Sequence, residues 1–184
     1  MPSLTLTQKC IKTELRGCCN LRICESGMVF GEFKEADCFH IEKTDLSKRL
    51  SGRGVKSVEF VLSQPMDKRL LFVEAKITLP AANNIVRFEE EIIDISQKFM
   101  DSLSLTCGIW FGKHNSEVIA PDNRELFFSY GTQIVFILVI KSRIGDLPHI
   151  EDMIKKQLLR ERMLWGFDVL ALNEEDARKV NLIC

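Results

Sequence analysis

LLFVEAKITLP, residues 70–80, is rich in branched and aromatic side chains, as strands are, yet it sets Glu74 and Lys76 where a buried run would carry valine. VKSVEFVLS, residues 55–63, sets Glu59 in the same awkward way. Between the two lies QPMDK, whose Pro65 suits a turn, so the pair reads as a hairpin. With residues 65–68 as the loop, Gln64 faces Arg69. One face then pairs Val58 with Ala75, Phe60 with Val73 and Leu62 with Leu71, and is wholly apolar. The other pairs Ser57 with Lys76, Glu59 with Glu74 and Val61 with Phe72. A slip of one residue would turn one strand's apolar set outward, so the pattern fixes the register.

Two carboxylates facing each other across a ladder destabilise it. At about 5 Å and an effective dielectric near 20 they repel by roughly 3 kcal/mol. Lys76, two residues on and on the same face, offsets part of this. A divalent cation offsets more, because hard oxygen ligands suit Mg²⁺ or Mn²⁺. Such a cation polarises a phosphodiester and activates water, and a lysine beside it orients that water or steadies the developing charge. The plain alternative is a solvated polar face with a salt bridge. Leu70, Val61 and Phe72 on the same face argue against full exposure.

An acid on one strand, a short turn, Glu74-Ala75-Lys76 on the next strand, then an amphipathic helix and further strands resembles the PD-(D/E)XK superfamily, the restriction-endonuclease-like phosphodiesterases. The resemblance covers about residues 55–140 and is specific only in the hairpin. Its first motif acid is usually an aspartate after a proline, whereas Glu59 follows Val58. It implies Glu59, Glu74 and Lys76 as catalytic residues, Glu59 and Glu74 as metal ligands, and Mg²⁺ or Mn²⁺ as cofactor. It also implies an acid from upstream, for which Glu42 is the first candidate, with Glu35 and Asp45 behind it. Gln97 lies where some members place another polar site residue. The substrate implied is DNA before RNA. Such short chains often act as a homodimer or with a protein partner, for instance in defence against foreign DNA. The rival is a noncatalytic interaction subunit on the same scaffold.

The rest of the chain reads as an α/β class, a mixed central sheet with flanking helices and a restriction-endonuclease-like core. Asn83 or Asn84 caps a helix over residues 85–103, with Val86, Phe88, Ile92, Ile95, Phe99 and Leu103 inward. Residues 109–111 read as a short strand, and the stretch through Pro121 as a loop. Residues 133–141 read as a buried strand, 149–164 as a second helix and 167–172 as a strand. Asn173 caps a last short helix. We expect one domain over residues 1–184, with a core over 55–184 and an N-terminal segment, 1–54, that is hard to assign. Within that segment, residues 3–8 and 27–33 alternate like short strands.

Charge and motifs exclude several classes. A net charge of −1 argues against a general nucleic-acid coat protein. Lys48, Arg49, Arg53 and Lys56 precede the hairpin and are candidates for phosphate contact. Lys155, Lys156, Arg160 and Arg162 are interleaved with acids and read as a solvated face. The signatures of phosphate-loop, dinucleotide, nucleophile-elbow and zincin sites are absent. Seven cysteines without a CxxC pair read as reduced thiols of a cytoplasmic protein. A zinc site from Cys18, Cys19, Cys24 and Cys38 or His40 has no standard spacing, and nothing marks Cys107 and His114 as a nucleophile pair. No leader or membrane span is expected.

Overall fold

The computed structural model describes residues 13–15, 18–80, 84–114, 121–142 and 145–184. The fold is α/β: a five-stranded mixed sheet with flanking helices, and a second, three-stranded sheet. β1 (Thr13–Leu15), β2 (Cys18–Glu25) and β3 (Met28–Lys34) form the small antiparallel sheet. β4 (Cys38–Phe39), β5 (Phe60–Gln64), β6 (Arg69–Lys76), β7 (Gln133–Ile140) and β8 (Asp168–Asn173) form the large one, in that spatial order. β4, β5 and β6 are antiparallel, and β6, β7 and β8 are parallel.

The hairpin has the expected register. Gln64 pairs with Arg69, Leu62 with Leu71 and Phe60 with Val73, around a loop of residues 65–68 closed by a left-handed Lys68. The ladder stops one step short of the expected Glu59–Glu74 pair. Glu59 is attached instead through its N–H to the Val73 carbonyl at 3.1 Å. Val58 has left the alternation, for its N–H is taken by the Ser102 hydroxyl at 2.8 Å and its side chain packs with the helix-side core.

Among the described residues, six α-helices accompany the sheets: α1 (Asp45–Ser51), α2 (Ile85–Trp110), α3 (Pro121–Phe128), α4 (Leu147–Gln157), α5 (Leu159–Trp165) and α6 (Glu174–Lys179). Asn84 caps α2 and Asn173 caps α6 through their side-chain oxygens. α2 is longer than expected, because Leu105, Ile109 and Trp110 continue its buried stripe through the residues read as a strand. Val86 is exposed on it rather than inward. Residues 121–128 are helix, with Pro121 at the first helical position. The expected helix over 149–164 is divided at Leu158 into α4 and α5.

α2 and α4 cover the same face of the large sheet, burying Ile92, Ile95, Phe99, Ile150 and Ile154 with Phe72 and Phe136. Phe136 stacks on Phe99 at 4.8 Å between ring centroids, a pairing that adds about 0.5–1.5 kcal/mol to its area burial. The opposite face is covered by the segment hardest to read. Ile23, Met28, Phe30 and Phe33 pack with Phe60, Leu62, Leu71, Val73 and Ala75, joined by Ala177, Leu182 and Ile183. The core therefore does not respect a boundary at residue 54.

Ser26 and Gly27, with φ of 50° and 71°, close the β2–β3 hairpin as a two-residue turn of the primed type, which needs positive φ at both positions. Gly31 lets the Phe33 ring lie flat on the strand, since a Cβ there would meet that ring at 2.2 Å. Among the described residues, no helix is long and apolar enough to cross a membrane. Residues 1–12 lie outside the described residues, and with them the expected strand over 3–8.

Candidate metal centre

Three glutamates converge where β5 begins, near the C-terminal end of β6, and a fourth, Glu74 of β6, is close enough for its charge to act on one of them. Open α/β sheets commonly bind ligands at that end. One carboxylate oxygen each from Glu25, Glu42 and Glu59 lies within 4.8 Å of the others. Glu25 is the last residue of β2, Glu42 sits in the 3-10 turn Ile41–Lys43, and Glu59 immediately precedes β5. The cluster thus joins both sheets and a connecting turn. Glu74, in β6, is fully buried under α2.

Glu74 is held by lysines. Its Oε1 accepts from Lys98 Nζ at 2.6 Å and lies 3.7 Å from Lys76 Nζ. Its Oε2 is buried and has no hydrogen-bond partner among the described residues. Burial pushes the Glu74 carboxyl up, against the pull of Lys98 and then Lys76. Burial, then the Glu74 charge, then Glu42 and Glu25, push Glu59 up to about 8. Burial and Glu42 also raise Glu25, while Lys43 opposes them. Glu59 and Glu74 are not ladder partners, but their charges meet.

The lysine of the Glu-Ala-Lys triplet is also engaged. Lys76 Nζ lies 2.7 Å from Glu91 of α2. Burial works against its charge, but Glu91 and Glu74 outweigh it and hold the ammonium above its ordinary range. Glu91, Asp94, Lys98 and Asp101 recur at steps of three, four and three along α2, so they form one polar stripe over the hairpin. Asp94 pairs with Lys56, and Asp101 accepts from the Lys56 N–H at 2.9 Å.

The structure brings Glu59 together with Glu42, and with Glu25, which the sequence reading missed. Lys98 was also missed, one residue from Gln97. Gln97 points away, exposed, and donates to Asp101 at 2.7 Å. Glu35 and Asp45 lie in neighbouring turns outside the cluster. Lys48 and Arg49 are exposed in the last turn of α1 and Arg53 is exposed in the turn that follows, next in the chain to the Glu42 turn. Lys56 is tied to Asp94.

The other candidates separate cleanly. Lys155 pairs with Glu151 and Asp168, Lys156 with Asp152, and Arg162 with Asp168, as a solvated charged face does. Burial raises the Cys107 thiol to about 11 and Cys38 to about 12, so neither is poised as a thiolate. Burial, then Lys43, lowers His40 to about 4. Cys10 and the side chains of Cys18 and Cys19 lie outside the described residues.

Three oxygen donors of this type suit a hard divalent cation. A Mg²⁺-sized ion with bonds of about 2.1 Å spans at most about 4.2 Å between opposite ligands, and a Ca²⁺ with bonds of about 2.4 Å spans about 4.8 Å. No family model matches the sequence, and neither a curated protein nor a solved structure matches it.

Proposed function

We propose that this protein is a divalent-metal-dependent nuclease with a restriction-endonuclease-like core, hydrolysing phosphodiester bonds in DNA before RNA. The observation that carries this reading is the convergence of Glu59 and Glu42 beside the buried Glu74, with Lys76 on the same strand. Mg²⁺ or Mn²⁺ bound there would supply Lewis-acid polarisation of a phosphate oxygen and lower the pKa of a water. Glu59 and Glu42 would hold the ion from the open side. Glu74 would lie beneath, paired with Lys98. Lys76 would orient the attacking water or steady the phosphorane. The exposed Lys48, Arg49 and Arg53 supply the cationic surface along which a phosphate backbone would approach. The groove past the end of β6, lined by Arg87 but also by Glu90, Glu91 and Asp94, is largely acidic and would repel it.

One observation favours the second reading, a noncatalytic interaction subunit. Lys76 and Lys98 are both already bound to carboxylates, so the site holds its charges in internal pairs. The deciding experiment incubates plasmid, single-stranded DNA and RNA with the wild type and with Glu59→Gln, with Mn²⁺ or with a chelator. Metal-dependent cleavage by the wild type that Glu59→Gln abolishes supports the nuclease. No cleavage of any substrate, at millimolar Mn²⁺ and high enzyme concentration, moves the reading to the interaction subunit.

A further inference from the structure

The carboxylates sit at one end of the large sheet, and the other end carries an uncovered apolar surface. Where β6, β7 and β8 begin, a groove of about 530 Å³ opens on the face that the small sheet covers further along. Leu71, Val135, Ile137 and Leu170 line it, with the exposed Asp67 and Arg69 at its rim. α5 ends at the edge of this groove, because Gly166, which closes that helix in a left-handed turn, lines it too. α5 is itself apolar on the outside. Leu159, Met163, Leu164 and Trp165 are all exposed, Met163 at 81% and Leu164 at 72%. Single exposed apolar residues are ordinary, but a helix of them beside an apolar groove forms one patch, and such patches mark interaction sites. The patch does not invite an added strand. β8 is the edge strand, and its Val169 and Ala171 N–H groups are already taken by Asp168 Oδ1 at 2.8 Å and Glu151 Oε2 at 3.3 Å. A partner therefore docks through side chains. The charges favour a second copy of this chain. Arg160 and Glu161 of α5 have no ion-pair partner among the described residues, and neither have Asp67 and Arg69 at the rim. Helix and groove thus each offer one cation and one anion. They lie side by side, so two copies related by a twofold axis can exchange them reciprocally.

We propose that this protein forms a twofold dimer in which α5 of each copy, through Met163, Leu164 and Trp165, fills the groove over β6–β8 of the other, with Arg160 facing the other copy's Asp67. Trp165 and Arg160 are of the residue types that carry most binding energy at interfaces, and the groove supplies the concave apolar seat such anchors need. The contact lies at the Arg69 end of β6, whereas Glu74 and Lys76 close its opposite end. The dimer therefore leaves the carboxylate cluster of each copy uncovered, and it does not depend on what that cluster does.

The test is sedimentation velocity on the full chain over a concentration series, with tryptophan emission read in parallel. The chain has two tryptophans, and Trp110 is buried in the core, so a change in emission on association reports Trp165. The expected result is a concentration-dependent dimer whose formation shifts the emission to the blue. Leu164→Glu places a charge where the single copy already meets water, so the variant folds. It weakens the dimer about 30-fold or more, as loss of an interface hot spot does. Arg160→Glu, also at an exposed position, weakens it about tenfold, because like charges then meet at two symmetric places. Adding Asp67→Arg to Arg160→Glu restores opposite charges across the axis and recovers the affinity. A chain that stays monomeric at millimolar concentration overturns the proposal. So does a dimer that Leu164→Glu leaves intact, a dimer that forms without a shift in emission, or a double variant no tighter than Arg160→Glu alone.

Discussion

The β5–β6 hairpin and the β2–β3 hairpin each bring a carboxylate toward the same end of the large sheet, but they do so by different physics. The first is held by a long ladder in a large sheet and carries its carboxylate, Glu74, fully buried and paired with Lys98. The second belongs to a small sheet whose register shifts between Leu21 and Ile23, with the extra residue on β3, and it brings Glu25 in half-exposed, opposed by charge rather than paired. One acid is bound into the core's interactions. The other is delivered to the surface of that core by docking. A buried pair is costly to break, whereas a delivered charge is costly to keep, and the two respond to opposite perturbations.

The largest expected effect tests whether the small sheet is integral. Phe30 is fully buried and meets Phe60 edge to face at 5.3 Å, so Phe30→Ala costs about 3–5 kcal/mol in urea unfolding. A second, earlier transition in that variant would show that the small sheet unfolds by itself.

Next comes Lys98→Met, which leaves Glu74 buried with only Lys76 at 3.7 Å and costs about 3 kcal/mol. The double variant Lys98→Met with Glu74→Leu removes both charges and recovers most of that loss. Failure to recover would mean that Lys98 acts by packing rather than by pairing.

A smaller effect follows from pH. Glu59 is raised to about 8, so between its ordinary range and pH 8 the folded state binds more protons than the unfolded state, and stability falls as pH rises. His40, lowered to about 4, does the opposite, but only below its ordinary value near 6.5. The clean window is therefore pH 6.5 to 8. There the metal-free protein loses about 1 kcal/mol after allowance for the half-exposed site. Melts in chelator at the two ends of the window check it, and a flat melting temperature contradicts the crowding of Glu59.

The smallest effect is at Arg22–Glu32, an ion pair on the outer face of the small sheet with both side chains about half exposed. Glu32→Gln changes stability by less than about 1 kcal/mol. A larger loss in equilibrium unfolding would show that the small sheet depends on surface charge.

The same contrast explains what was legible in the sequence. The β5–β6 register could be read because one face is apolar without exception and a slip would expose it. The Asn84 and Asn173 caps and the strand over β7 followed from local chemistry. The run past Leu103 is hard to read because Cys107 and Gly108 interrupt an otherwise helical stripe, and Pro121 suits a loop as well as a helix start. Glu42 was recognisable as an acid upstream of the motif. Lys98 was readable in principle, since the 91, 94, 98, 101 spacing puts it on the stripe over Glu74 and leaves Gln97 off it. Glu25 was not, because nothing local fixes it. Its place depends on a turn closed by Ser26 and Gly27 and on contacts with residues 75 and 141.

The small sheet is also tied to the far end of the described chain: Phe30 bridges Ile183, and Cys184 donates to the Val29 carbonyl at 3.0 Å. During synthesis β2 and β3 emerge long before the docking partners at residues 182–184. Contacts of such long sequence separation form late and slowly. The growing chain therefore carries Phe30, Met28 and Ile23 uncovered through much of its elongation, and the meeting of Glu25 with Glu42 and Glu59 waits until residues 182–184 have left the ribosome. The order of translation becomes a timer on the site.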